Sequence, residues 1–327
     1  MDHRKLAAEW LRALRGKRSQ RAFAQRLGYR SNVLSRWESG SAFPTAAEAM
    51  DVARQSGVDV RACLQRFFRV DRPFLQHTNP CRRAGMVALL TDLRGATPIQ
   101  QLARQTGYTR FQISRWLSGH TEPRLPDLFA LVDALSLRLP EFVHAFVDAA
   151  RLPTLAPVWQ RLTAAREAAF ARPWSHAVLR ALELREVCAL RRHPPGFIAH
   201  RLGISLEEEQ ACLALLARAG QVKRARGRWL LAQSLALDLR SEPERLRALK
   251  AFWLSVADAR LQAAGAGTFA FNVFAVAERD LAALQELHLE FYRQMALRID
   301  ASTPSECVVL YNAQLLRLDQ TADAVQA

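Results

Sequence analysis

Ser35-Arg36-Trp37-Glu38-Ser39-Gly40 decides the fold, because it returns at 114–119 as Ser114-Arg115-Trp116-Leu117-Ser118-Gly119. Working outward, a shift of about 79 positions also lays Ala24, Gly28, Tyr29 and Pro44 onto Ala103, Gly107, Tyr108 and Pro123 without a gap. Self-similarity of this kind marks one structural unit used twice. Around each copy apolar residues recur at helical spacing: Leu6, Trp10, Leu14, Phe23, Leu27, Val33 and Leu34 in the first, Leu90, Leu93, Ile99, Leu102 and Ile113 in the second. The pattern predicts two all-helical bundles, at 1–70 and 81–150. Between them Pro73, Asn79 and Pro80 resist continuous helix, so 71–80 reads as a link.

The repeated residues suit two helices packed closely across a tight turn. Ala24 and Ala103 are small where the helices approach, and Gly28 and Gly107 stand where a helix ends and the chain needs positive φ. Leu34 and Ile113 point inward, Trp37 and Trp116 follow on the same face, and Gly40 and Gly119 stop the second helix. A helix-turn-helix that reads DNA makes these demands: the first helix crosses the backbone and the second lies in the major groove.

Charge supports a polyanionic partner. The chain of 327 residues carries a net charge of +15, split as about +10 over 1–150, about +8 over 151–240 and about −3 beyond. Lys and Arg that neutralise phosphates release condensed counterions. Most of these cations are Arg on expected helix surfaces, so solvated faces account for part of the excess, and charge alone implies non-specific attraction.

Other classes find little support. Cys63, Cys81, Cys188, Cys212 and Cys307 form no C-x-x-C pair, which argues against a zinc site or a disulfide framework and for a reducing cytoplasm. His176, His193 and His200 lack metal-ligand spacing and read as structural or solvated. The start, Met1-Asp2-His3-Arg4-Lys5, leads into an amphipathic pattern, and no apolar run reaches membrane-spanning length, so neither export nor insertion is expected. No phosphate-cradling glycine loop, nucleophile elbow or paired-carboxylate spacing appears. The expectation is a protein with no enzymatic activity, cofactor or metal.

Beyond Pro153 and Pro157 the pattern changes. Residues 158–240 read as a linker helix and a winged helix: one helix from Trp174 to Leu190, a short one from Gly196 to Leu202, a third from Ser205 to Arg218, then a hairpin over 221–232 turning at Gly227. Ser205 is an expected N-cap, with Glu208 completing a capping box. Glu207, Glu208 and Glu209 at that helix start would repel phosphate, whereas Lys223, Arg224, Arg226 and Arg228 make a basic hairpin tip of the kind that reaches a minor groove. Residues 241–327 read as a small α/β unit, with helices from Glu244 and Glu278 and strands at 268–276 and 306–318, whose alternating Phe269, Phe271, Val273 and Val309, Tyr311, Ala313, Leu315 are expected core. The whole is mainly α: two helix-turn-helix bundles, then a winged helix and a small α/β unit.

Ser19-Gln20, Phe23-Ala24, Leu27-Gly28, Leu34-Ser35, Trp37-Glu38, Gly40 and Pro44 resemble the Cro/repressor or Xre class of bacterial DNA-binding domains. The resemblance implies a phosphate contact at Gln20 and a DNA-reading face made by Arg30, Ser31, Asn32 and Arg36, where Asn suits adenine and Arg suits guanine. In the second copy Pro98-Ile99 replaces Ser19-Gln20 and Leu117 replaces Glu38, which implies weaker backbone clamping. Its groove face reads Arg110, Phe111, Gln112 and Arg115 behind an N-cap at Thr109. Trp174-Ser175-His176, Ile198 to Ile204, Leu213, Leu216, Gly220 and Leu310 to Leu315 resemble a bacterial domain of unknown function found in transcription regulators.

Together these imply a cytoplasmic, nucleoid-associated repressor of transcription that binds double-stranded DNA. Its C-terminal half would form a homodimer, sense an effector ligand or recruit a peptide or protein. The rivals are a protein-interaction or signal-receiving module built on helix-turn-helix scaffolds, a non-specific nucleic-acid binder that takes RNA as well, and an enzyme whose pocket lies in the tail.

Overall fold

The computed structural model describes residues 1–69, 72–232, 237–263 and 267–319. It is mainly helical and divides into two compact units, 1–164 with 237–241, and 165–232 with 242–319.

The first unit opens with α1 (His3–Arg15), α2 (Gln20–Arg26), α3 (Val33–Glu38), α4 (Ala46–Gln55) and α5 (Val60–Phe68). A short α6 (Pro73–His77) follows, then α7 (Arg83–Arg94), α8 (Ile99–Thr106), α9 (Arg110–Leu117), α10 (Leu125–Ser136) and α11 (Leu139–Phe146). Shifted by 79 positions, the starts of α2, α4 and α5 fall on those of α8, α10 and α11. Side chains close the same helix ends in both copies. The Thr45 hydroxyl accepts from Glu48 N at 3.2 Å while Glu48 accepts from Thr45 N, and in the second copy Asp127 accepts from Arg124 N at 2.9 Å.

One hydrophobic core runs through both copies, from Leu6 to Leu155. Trp10 of α1 meets Phe129 of α10 and Phe146 of α11 edge-on, at 6.2 and 5.9 Å between ring centroids. Phe67 of α5 meets Phe142 of α11 at 5.3 Å. The copies also share backbone hydrogen bonds: Ala46 N donates to Pro123 O at 2.8 Å and Leu125 N to Pro44 O at 3.1 Å, around an isolated antiparallel bridge between Thr45 and Arg124. The expected link is packed structure in its described part, 72–80. Pro73 starts α6 at a position where a missing N–H costs nothing, and Leu75 is buried.

The second unit carries the end of α12 (Ala156–Ala171), then α13 (Trp174–Ala181), α14 (Arg185–Ala189), α15 (Phe197–Leu202), α16 (Leu206–Arg218), the hairpin β1 (Val222–Ala225) and β2 (Arg228–Leu231), α17 (Pro243–Gln262) and α18 (Glu278–Ala301). The single helix expected from Trp174 to Leu190 is instead broken at 182–184. The break buries Leu182, Leu184 and Val187 with Val178, Cys212 and Leu216, a cluster that one straight helix would not present to a common core. Trp253 of α17 packs edge-on against Trp174 at 5.3 Å. The hairpin pairs Ala225 with Arg228 across a two-residue turn, Arg226 at φ 50° and Gly227 at φ 77°, the geometry that matches strand twist.

The strands expected at 268–276 and 306–318 do not form. Among the described residues β1 and β2 make the one sheet, and both segments run without strand pairing. Alternation supplies two side-chain faces, but a strand also needs a neighbouring backbone to take up its N–H and C=O groups. The residues expected as core there are exposed, Phe271 to 95% and Val309 to 77%.

Candidate nucleic-acid interface

In the first copy Ser19 caps α2, its hydroxyl accepting from Ala22 N at 3.2 Å. Gly28 then takes φ 79°, and Tyr29 N donates back to Ala24 O at 2.9 Å, which reverses the chain within a few residues. One face of α3 is fixed by Leu34 and Trp37, both buried, with the Tyr29 ring edge-on to Trp37 at 5.4 Å. Arg36 on α3 and Arg30, Ser31 and Asn32 in the turn that leads into it are all exposed. Asn32 sits at the helix start without spending its side chain on a cap. Among the described residues neither Arg30 nor Arg36 has a side-chain hydrogen bond or ion pair, so their donors remain free for a ligand.

Gln20 lies at the first position of α2, half-buried, and its amide donates to Glu38 Oε2 at 3.0 Å. Glu38 is buried and also accepts from Arg15 at 2.6 and 3.1 Å, with Arg12 at 3.7 Å. Burial pushes its carboxyl up, but the Arg15 and Gln20 hydrogen bonds and the Arg15 and Arg12 charges outweigh that and hold it below the ordinary value. The cluster orients Gln20 and leaves its second N–H free to donate. The sequence reading expected a role for Gln20 but did not anticipate Glu38, which it contacts, or Arg15 and Arg12, which hold Glu38; Glu38 stood inside the repeated hexapeptide as the position where the copies differ.

The second copy repeats the geometry with different chemistry. Thr109 caps α9, accepting from Gln112 N at 3.2 Å, and Gly107 takes φ 76°. Ile113 and Trp116 are buried, and Tyr108 lies edge-on to Trp116 at 4.9 Å. Arg110, Phe111, Gln112 and Arg115 are exposed, Phe111 to 79%. Pro98 caps nothing with a side chain. Tyr108 donates to Asp127 at 2.7 Å, as Tyr29 does to Glu48. Burial and the carboxylate partner both push each phenol up. Both carboxylates follow from the shift that aligns the tyrosines.

In the other unit the basic tip divides. Lys223, Arg224 and Arg226 are exposed, with Arg224 near the Trp229 ring at 5.7 Å. Arg228 is half-buried and donates to Cys188 O at 2.6 Å, which makes it a support of the hairpin. His193 has the same role, accepting from Trp229 N at 3.1 Å while its Nε2 lies 3.1 Å from Val187 O. Two of the three glutamates at the start of α16 have separate tasks, and Glu207 is exposed. Ser205 caps the helix by accepting from Glu208 N at 3.0 Å, but the Glu208 carboxylate pairs with Arg172 rather than closing a capping box. Glu209 is buried and accepts from Gly196 N at 2.9 Å and Ala199 N at 2.5 Å, satisfying the start of α15. A cavity of about 220 Å³ lies between α15, α16 and the hairpin, lined by Phe197, Leu213 and Trp229. No group of His, Cys, Asp and Glu among the described residues could hold a metal ion, and no described helix is long and apolar enough to cross a membrane.

Residues 97–142, which span α8, α9, α10 and the first half of α11, match the helix-turn-helix family. The chain carries a helix-turn-helix domain of the Xre type. Residues 156–318 match the domain of unknown function DUF4423. No curated protein and no solved structure matches the chain. The residues matched as helix-turn-helix are those of the second copy, in which Ile99 stands at the position of Gln20. The DUF4423 match begins at the first residue of α12 and ends one residue before Asp319, the last described residue.

Proposed function

We propose that the protein is a sequence-specific transcription regulator of the cytoplasm and nucleoid that represses by occupying duplex DNA, acting by binding and not by catalysis. The observation that carries this reading is the pair of faces on α3 and α9. Each is anchored by a buried tryptophan and presents exposed polar and cationic side chains, with Arg36, Arg110 and Arg115 free of any partner among the described residues. Free arginine forks on a rigid helix suit guanine edges and phosphates. The exposed Lys223, Arg224 and Arg226 add contacts at the hairpin tip.

Selection of bound duplexes from a random pool tests the reading. A recurrent motif is expected, with Arg36→Ala relaxing a base position and Gln20→Ala weakening all sequences more evenly. Salt-sensitive binding without sequence preference would replace it with the non-specific alternative.

The DUF4423 half is the dimerisation part, and a second copy of the chain covers its exposed apolar residues. Phe269, Phe271, Phe274, Phe291, Tyr292, Leu316 and Leu318 are among the exposed large side chains of 268–318. At roughly 100 to 200 Å² exposed for each, the seven amount to about 1,000 Å². That is comparable with the ~800 Å² that each partner gives to a standard interface. Sedimentation velocity should give a dimer that Phe271→Asp with Val309→Asp returns to monomer; a monomeric parent protein overturns this part.

A further inference from the structure

We infer that a single chain reads an inverted repeat, with α3 on one half and α9 on the other at one fixed spacing, because the two copies in the first unit form an internal pseudo-dimer with a local two-fold axis. The inference rests on the reading of both motifs as DNA-binding.

The relation between the copies follows from which residues touch. Thr45 and Arg124 are equivalent under the shift that relates the copies, and they face each other in an antiparallel bridge. The hydrogen bonds on either side are reciprocal. Ala46 N donates to Pro123 O, and their equivalents, Leu125 N and Pro44 O, make the same bond in the opposite sense. A segment paired antiparallel with its own equivalent has a two-fold axis through the pair, whereas copies related by translation would meet through non-equivalent residues. The helices obey the same rule. α5 packs on its equivalent α11, while α1 packs on α10 and the equivalent α7 packs on α4.

Two physical consequences set the ligand. B-DNA has local two-fold axes perpendicular to its length, so a two-fold protein lies on it with the axes coincident and its recognition helices meet half-sites in inverted order. The copies are also held by one core and by backbone hydrogen bonds, with Phe67 against Phe142 close to the axis. Spacing between half-sites is therefore built into the fold and is not set by a flexible tether. Val33 and Arg36 of the first copy and Tyr108 and Arg124 of the second line one groove of about 810 Å³, so both motifs open on a shared depression. The half-sites differ because the faces differ: Asn32 and Arg36 in one, Arg110, Phe111, Gln112 and Arg115 in the other.

The experiment selects duplexes from a random 40-base-pair pool with the full-length protein, then repeats the selection with Arg36→Ala and with Arg115→Ala, both exposed substitutions whose melting is checked against the parent. Two half-sites in inverted order at a single spacing are expected. Arg36→Ala should relax one half only and Arg115→Ala the other only, each by on the order of 10- to 100-fold at the affected base. Inserting ten base pairs between the halves should reduce affinity to that of one half-site, since the rigid pair cannot follow. The inference is overturned if the halves stand in direct order, if ten inserted base pairs are tolerated, or if Arg36→Ala relaxes both halves while Arg115→Ala is silent. The last outcome would mean that first copies from two chains read the site. Absence of any enriched sequence would instead remove the DNA-reading function itself.

Discussion

The two tryptophans of the repeated hexapeptide and the glutamate that separates its copies are buried behind the exposed arginines of the two motifs. Trp37 and Trp116 are buried under Tyr29 and Tyr108 and point away from the free arginines. Trp37→Ala and Trp116→Ala should each cost about 3 to 5 kcal/mol in chemical denaturation, as a large buried side chain lost; wild-type melting with lost DNA binding would make the tryptophan a contact residue. Glu38 has a pH signature. Its folded-state pKa lies below the ordinary value, so its contribution to stability is present above the ordinary carboxylate range and is lost as pH falls through the depressed folded value. Glu38→Gln, which keeps the shape but not the charge, should flatten the acid limb of the stability curve of the first unit. An acid limb unchanged from the parent would mean that the Arg15–Glu38 pair contributes nothing to folding.

At the level of elements, α6 and α7 explain why the second copy is not a replica of the first. Gly85 of α7 aligns with the buried Leu6 of α1, and a Cβ at Gly85 would lie 2.0 Å from Asn79 O. Where the first copy fills its core with a leucine, the second lets the backbone of the link pass against the helix. Gly85→Ala should therefore cost about 3 kcal/mol by overpacking against a main chain that cannot rotate away, read from the denaturation midpoint. A variant as stable as the parent would show that 78–80 can shift freely. The hairpin and α15 illustrate the same dependence among elements, since Arg228 and Glu209 spend their charges on backbone groups of neighbouring helices.

For the whole molecule, the shared core makes the two copies one folding unit. Phe142 is fully buried and touches Phe67 of the other copy as well as Phe129 and Phe146 of its own. Phe142→Ala should cost about 3 to 5 kcal/mol and lower hydrogen-exchange protection in α1–α5 as much as in α7–α11. Loss confined to α7–α11 would make the copies independent domains and remove the basis for fixed half-site spacing.

The sequence alone determined whatever depends on local spacing. The repeat placed both helical pairs, their glycine turns, their buried tryptophans and the exposed arginines, because a 3.6-residue period and a positive φ are written in neighbouring residues. It also placed the hairpin turn at Gly227 and the helices α17 and α18. Decisions among distant groups belonged to the tertiary structure. Glu38 gained Arg15 and Gln20, Glu209 turned from a phosphate-repelling charge into a cap for α15, and Arg228 became a strut, since each partner lies more than ten residues away in sequence. The alternating segments at 268–276 and 306–318 went the other way, because alternation specifies the faces of a strand while only a neighbouring backbone can complete its hydrogen bonds. The relation between the two copies was likewise hidden in the repeat: identical spacing fits a translation as well as a rotation, and the antiparallel contact of Thr45 with Arg124 chose the two-fold.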